Sequence, residues 1–144
     1  MDILKITKEN RSQYENTDLV HNGHVEIDID LKIVSFISMS VTGYILAKAG
    51  SSIKAGEDIK AGWGIEAGED IKAGSGIKAG WGIKAGLSIT CKTVIKCTLR
   101  IFAGLCIWKI PTDEEKTISC KRIESGTVEY GIVKLISDTE KTKE

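Results

Sequence analysis

Four cysteines, Cys91, Cys97, Cys106 and Cys120, and two histidines, His21 and His24, are the side chains of this chain best suited to metal or nucleophile chemistry. A zinc site needs thiolates or imidazoles that converge, usually around closely spaced cysteine pairs. Cys106 and Cys120 have no partner at CxxC spacing, so no metal site is indicated, and no cofactor is expected. With no export signal, the four thiols read as free cysteines of a reducing cytoplasm. Charge offers a second chemistry. Lys60, Lys78 and Lys96 recur 18 residues apart, and residues 87–111 hold Lys92, Lys96, Arg100 and Lys109 without one acid. Such a stretch can bind anions or nucleic acid, but aromatic residues are thinly interleaved, and solvated lysines that keep a protein soluble are the plainer explanation. Large apolar side chains offer a third. Trp63, Trp81 and Leu99 also stand 18 apart, with Phe102 and Trp108 close behind.

The elements that position these residues follow from a repeat. From Ser51 the chain divides into sixes, SSIKAG, EDIKAG, WGIEAG, EDIKAG, SGIKAG, WGIKAG, LSITCK, TVIKCT, LRIFAG and LCIWKI. Isoleucine holds the third place of all ten, from Ile53 to Ile107, and a small residue follows two places later in nine. Cys91 and Cys97 take that small inward place, so they read as buried small hydrophobes. A spacing of two puts both side chains on one side of an extended strand. A helix would need spacings of three and four, and the glycines would weaken it. Glycine is expected here to supply the backbone angles of a corner.

The 18-residue recurrence of Trp63, Trp81 and Leu99 sets three sides per turn. Glu57–Asp58 and Glu69–Asp70 lie 12 apart and so fall on different edges. The expected fold is all-β: a triangular parallel β-helix of about 18 residues per coil, each coil ~4.8 Å above the last. Three outward columns result: Lys60, Lys78 and Lys96; Lys54, Lys72 and Thr90; Glu66, Lys84 and Phe102.

The order I-x-A-G-x-x resembles the right-handed β-helices of bactofilins and of flagellar-assembly-protein-A-like repeat proteins. The left-handed acyltransferase hexapeptide places its small residue before the aliphatic one. The resemblance spans residues 41–110 and implies a fold, with the right hand favoured over the left, in keeping with the general bias of parallel crossovers.

Strand edges at both ends of a β-helix must be covered. Residues 1–20 read as an N-terminal cap, 21–110 as the β-helix with clean repeats at 51–110, 111–136 as a C-terminal cap or dimer contact, and 137–144 as a solvated tail. Val25, Ile27, Ile29, Leu31 and Ile33 alternate with polar residues as one strand, and Val41 and Ala47 continue the six-residue spacing backwards. Thr112 and Glu115 form a capping-box pattern, which predicts a short helix to about Arg122, and residues 127–136 read as a strand.

These features disfavour some functions. Hexapeptide acyltransferases use a histidine base at a trimer interface, whereas His21 and His24 lie outside the clean repeat and regular sixes leave no protruding loop for a pocket. The formal net charge is zero, and no apolar run nears the ~20 residues of a membrane span. The expectation is a non-enzymatic, cytoplasmic protein-interaction module with a protein partner. An inhibitor of a host defence complex, of the anti-CRISPR kind, is one form suggested by the class of small phage and mobile-element proteins. The alternative is a self-assembling bactofilin-like scaffold. The expected contact residues are Trp63, Trp81, Leu99, Phe102, Trp108, Lys60, Lys78, Lys96 and Arg100. Two readings of the tryptophan ridge stand open: an interface, or a surface covered by the chain's own termini. A homodimer through an end or the C-terminal cap is a further expectation.

Overall fold

An Ile-x-Ala strand buries two side chains on one side and offers unpaired backbone on both edges. It is stable only between two like strands. In this computed structural model, which describes residues 2–28, 33–48 and 50–136, that demand is met by a parallel β-solenoid of about five turns. Among these residues the chain is nearly all β, with a single short helix, Arg11–Tyr14.

Three faces form the rod. On the first, Ile45–Ala47, Ile65–Ala67 and Ile83–Ala85 stack between His24–Ile27 and the second half of Val94–Phe102. On the second, Ser38–Val41, Ile59–Ala61 and Ile77–Ala79 lead to the first half of that same strand, which bends round the corner. On the third, Ile33–Phe36, Ser52–Ala55, Ile71–Ala73 and Ile89–Thr90 lead to Thr117–Cys120. Ile59, Ile77 and Ile95 stand in register, as do Ile53, Ile71 and Ile89, and Ile65, Ile83 and Ile101. All nine are sealed from solvent, as are Cys91 and Cys97 among the alanines. At ~1.5–3 kcal/mol for each buried isoleucine, this column is the main source of stability.

The charged corners separate as the spacing requires. Asp58 Oδ1 accepts the Gly76 N–H at 2.9 Å, whereas Asp70 Oδ1 accepts the N–H and Oγ–H of Ser88 at 2.9 and 2.7 Å. Each aspartate thereby satisfies a backbone donor of the next coil at its own corner.

Gly50 and Gly104, each with a φ of +86°, supply the left-handed angles expected of corner glycines, but others serve a different purpose. Gly62, Gly74, Gly80 and Gly86 do not have positive φ. A Cβ at Gly74 would lie 1.9 Å from the carbonyl oxygen of Gly56, one coil away, and Gly80 and Gly86 meet Gly62 and Gly68 in the same way. Glycine is required because stacked backbones touch there, not because the turn needs left-handed angles.

Several boundaries also differ from the sequence reading. Val41 and Ala47 occupy the alanine row, in register with Ala61 and Ala67; the isoleucine row is continued by Met39 and Ile45. Between the coils a two-residue slip intervenes at the corner before Ser52, so Met39 and Ile59 are 20 residues apart. Ser51 and Ser52 are buried there, with Ser51 Oγ–H donating to the Asp28 carbonyl and Ser52 Oγ accepting the Asp70 N–H. The single strand expected over 24–34 is instead two, His24–Ile27 and Ile33–Phe36, on different faces; Ile29 and Leu31 lie outside the described residues, as does the expected tail at 137–144. Within the N-terminal cap, Ile3–Ile6 is itself a strand paired with His24–Ile27.

The helix expected after Thr112 does not form. Thr112 and Glu115 do make their reciprocal bonds, at 3.0 and 3.3 Å, but only a turn results. Thr117–Cys120 then pairs with Ile89–Thr90 and buries Ile118 and Cys120 completely. Burial of two alternate side chains outweighs a local cap that is worth ~1 kcal/mol. The strand expected over 127–136 is divided at Gly131, whose φ is +120°. The tenth hexapeptide also leaves the rod. Ile107 and Ile110 are 99% and 94% exposed on a protruding loop, so regular sixes end at Ala103.

The glycine geometry yields a paired prediction. Gly74→Ala should lower the free energy of unfolding by about 1–3 kcal/mol through overpacking. Gly56→Ala, whose methyl would meet only the Ile37 carbonyl oxygen at 3.7 Å, should change it by less than about 1 kcal/mol. Urea denaturation of the two variants checks the contrast.

Candidate functional site

The ridge begins with Trp63 and Trp81, which hold like corner places on successive coils. Their rings stack 5.0 Å apart and 10° from parallel. The first coils extend this ladder. His24 stacks on Tyr44 at 4.0 Å and meets Trp63 edge-on at 4.6 Å. His24 Nδ1 accepts the Tyr44 N–H at 3.0 Å, which fixes the ring, and the Tyr44 hydroxyl donates to Glu26 Oε2 at 2.7 Å. That hydrogen bond to a carboxylate raises the Tyr44 pKa above its ordinary value.

Trp63 is therefore half-buried under its aromatic neighbours. Trp81 and Leu99, further along, remain 54% and 56% exposed. Of the two readings of the ridge, the described residues favour the uncovered one. Beside the ridge runs a groove of about 730 Å³, lined by Tyr44, Leu46, Trp63, Trp81, Leu99 and Phe102, among others. Gly64 and Gly82 hold the places between ridge and strand, where a Cβ at Gly82 would lie 2.8 Å from the Arg100 carbonyl oxygen of the next coil. Glu66 and Lys84, in register with one another, add one charge of each sign.

Five of the nine expected contact residues line this groove: Trp63, Trp81, Leu99, Arg100 and Phe102. Arg100 leans on Glu129 at 3.4 Å, an exposed pair of little energetic weight. Trp108 lies apart, in a smaller depression of about 210 Å³ bounded by Leu46, Glu66 and Lys84 on one side and the protruding loop on the other. That loop is braced by the Lys109–Glu115 ion pair, which pushes the Lys109 pKa up and the Glu115 pKa down. Lys60, Lys78 and Lys96 form their expected column on the second face, in a separate shallow pocket with Asp58 and Glu124. The acids beside it dilute its positive charge.

Tyr44, Leu46 and the exposed loop were not legible as site residues. Tyr44 precedes Trp63 by 19 residues and Leu46 precedes Glu66 by 20, so an 18-residue column misses both.

The cysteines sit where their spacing implies, with one addition. Cys91 and Cys120 occupy matching inward places on adjacent coils, within hydrogen-bonding reach of one another. The thiol–thiol contact, with burial behind it, pushes the Cys91 thiol up; the same contact draws the Cys120 thiol down, while burial pushes the Cys97 thiol up. Cys106 is half-exposed on the loop, where its thiol donates to the Lys109 carbonyl at 3.5 Å. Among the described residues, no three His, Cys, Asp or Glu side chains converge as a metal-holding group, and no helix is long and apolar enough to cross a membrane.

Compared with protein-family models, with curated proteins and with solved structures, the chain matches none.

A thiol count follows from this arrangement. Ellman's reagent at neutral pH should modify Cys106 rapidly in the native protein and the other three thiols only on unfolding. Two or more fast native thiols would contradict the burial of Cys91, Cys97 and Cys120.

Proposed function

We propose that this protein is a non-catalytic interaction module that receives an apolar segment of a partner protein in the groove beside Trp63 and Trp81. One observation carries the reading: Trp81 and Leu99 lie side by side, more than half exposed, along a channel with apolar walls. Large exposed apolar side chains gathered at one place mark interfaces, because leaving them in water forfeits several kcal/mol that a partner can recover. Tryptophan is also the residue type most enriched at interface hot spots. The stacked ladder beneath Trp81 holds it rigid, so little side-chain entropy is lost on docking. The bond from Tyr44 to Glu26 fixes the far end of the same wall.

The channel suits an extended segment with apolar side chains. Glu66 and Lys84 give it a charge of each sign, which can select the segment's direction. The lysine column of the second face plays no part in this reading.

The test is a random peptide display library panned against the folded protein. Apolar, aromatic-containing peptides should be enriched on the wild type, and their binding should fall at least about tenfold on Trp81→Ser/Leu99→Ser. Both changes lie at exposed corners, and circular dichroism should show the coil intact. Peptides that bind the wild type and the double variant equally well would overturn the reading.

A further inference from the structure

Each middle coil of the rod lies between two others. The last coil does not. Arg122–Tyr130 pairs only with Val94–Phe102, and Ile132–Leu135 only with Thr117–Cys120, among the described residues. Val133 stands in register with Ile118, and Leu135 with Cys120, in rows that are sealed elsewhere in the rod. Here they are 41% and 53% exposed. Ile123 and Val128, the inward residues of the neighbouring strand, are only half-buried. Among the described residues, no strand lies beyond the outer edge of either, which leaves backbone donors and acceptors along it.

The two ends of the rod differ. At the first coil, Leu4 and Tyr14 pack against the core beside the short helix Arg11–Tyr14. At the last, no described segment covers the exposed row, and residues 137–144 carry no aliphatic or aromatic side chain.

We infer that the C-terminal end is the interface of a two-fold homodimer, in which the last coil of each copy covers the last coil of the other. This inference is independent of the groove on the first face. Two observations select a second copy as the occupant. The first is the edge itself. A strand edge is satisfied by another strand, and a two-fold axis across the rod presents the same edge in the reverse direction, which gives antiparallel pairing.

The second is the pattern of Arg122–Tyr130. An isologous interface must complement itself. Reversed about the Ser125–Gly126 corner, this strand brings Ile123 of one copy opposite Val128 of the other, and Arg122 opposite Glu129. Apolar residues meet apolar ones, and opposite charges meet twice. The corner itself is firmly seated: Ser125 Oγ–H donates to the Cys97 carbonyl at 2.9 Å, and Gly126 adopts a φ of +110°. Because the contact uses the same end of both copies, it closes at two and does not propagate.

Light scattering after size exclusion, with the full chain, tests this. The wild type should have twice the chain mass. Val133→Asp/Leu135→Asp should raise the dimer dissociation constant at least about tenfold while the β-sheet circular dichroism is kept. Arg122→Glu alone and Glu129→Arg alone should each weaken the dimer, and the two together should restore it. Losing the Arg100–Glu129 contact in the process has little effect on folding, since that pair is exposed. If the aspartate variant unfolds, the charge series decides: recovery in the double variant supports the two-fold register, and its failure overturns it. A wild type that stays monomeric, or that grows into filaments, also overturns the inference, as does a folded aspartate variant that dimerises unchanged.

Discussion

Vertical stacking of isoleucine on isoleucine is the constraint on which the rest of this structure depends. A three-residue strand is too short to stand alone, and its two inward side chains bury nothing by themselves. Once each coil lies ~4.8 Å from the next, every inward side chain rests on its counterpart, and every strand backbone finds parallel partners. The same closeness dictates the corners. Gly74 and Gly56 touch backbone to backbone, so no side chain fits between them. Asp58 and Asp70 reach across one coil to bind the N–H groups of Gly76 and Ser88. Outward positions are free of these demands, which is why lysine, glutamate, tryptophan and phenylalanine can all occupy them.

Much of the middle of the rod was legible in the sequence because its period is strict. Ile53 to Ile101 at every sixth place implied three faces, and the coils stack in that register. The ends were less legible, for two physical reasons. A corner can absorb two extra residues, as it does before Ser52, without disturbing the strands on either side. The chain therefore keeps its inward rows while the counting frame shifts, and Val41 moves from one row to the other. A coil can also shed a long loop. Between Ala103 and Thr117 the chain leaves the rod and returns to the third face, so Ile89 pairs with Ile118, 29 residues on. Local signals misled there. The capping box of Thr112 and Glu115 exists, but burial of Ile118 and Cys120 makes the next segment a strand.

The candidate site was legible to the same extent as the period. Trp63, Trp81, Leu99 and Phe102 lie within the strict repeat and converge on one groove. Trp108 lies beyond it and is carried away by the loop to a separate depression. Tyr44 and Leu46 lie before it, and only the register of the first coils brings them to the groove wall. The stack of Trp63 on Trp81 is the outward counterpart of the isoleucine column, since both arise from like places one coil apart, and Tyr44, in register with Gly64, joins it from the neighbouring place. Stacking outside the rod is thus a consequence of stacking inside it.

The register of the coils is tested most directly by pyrene labels on paired outward cysteines, with Cys106 replaced by serine. Lys60→Cys/Lys78→Cys places both labels on neighbouring coils of the second face, where Lys60 and Lys78 are direct partners. Lys60→Cys/Lys72→Cys places them on different faces. Strong excimer emission from the first pair and little from the second is the predicted result. Equal emission from both pairs, or excimer from the second alone, would contradict an 18-residue coil.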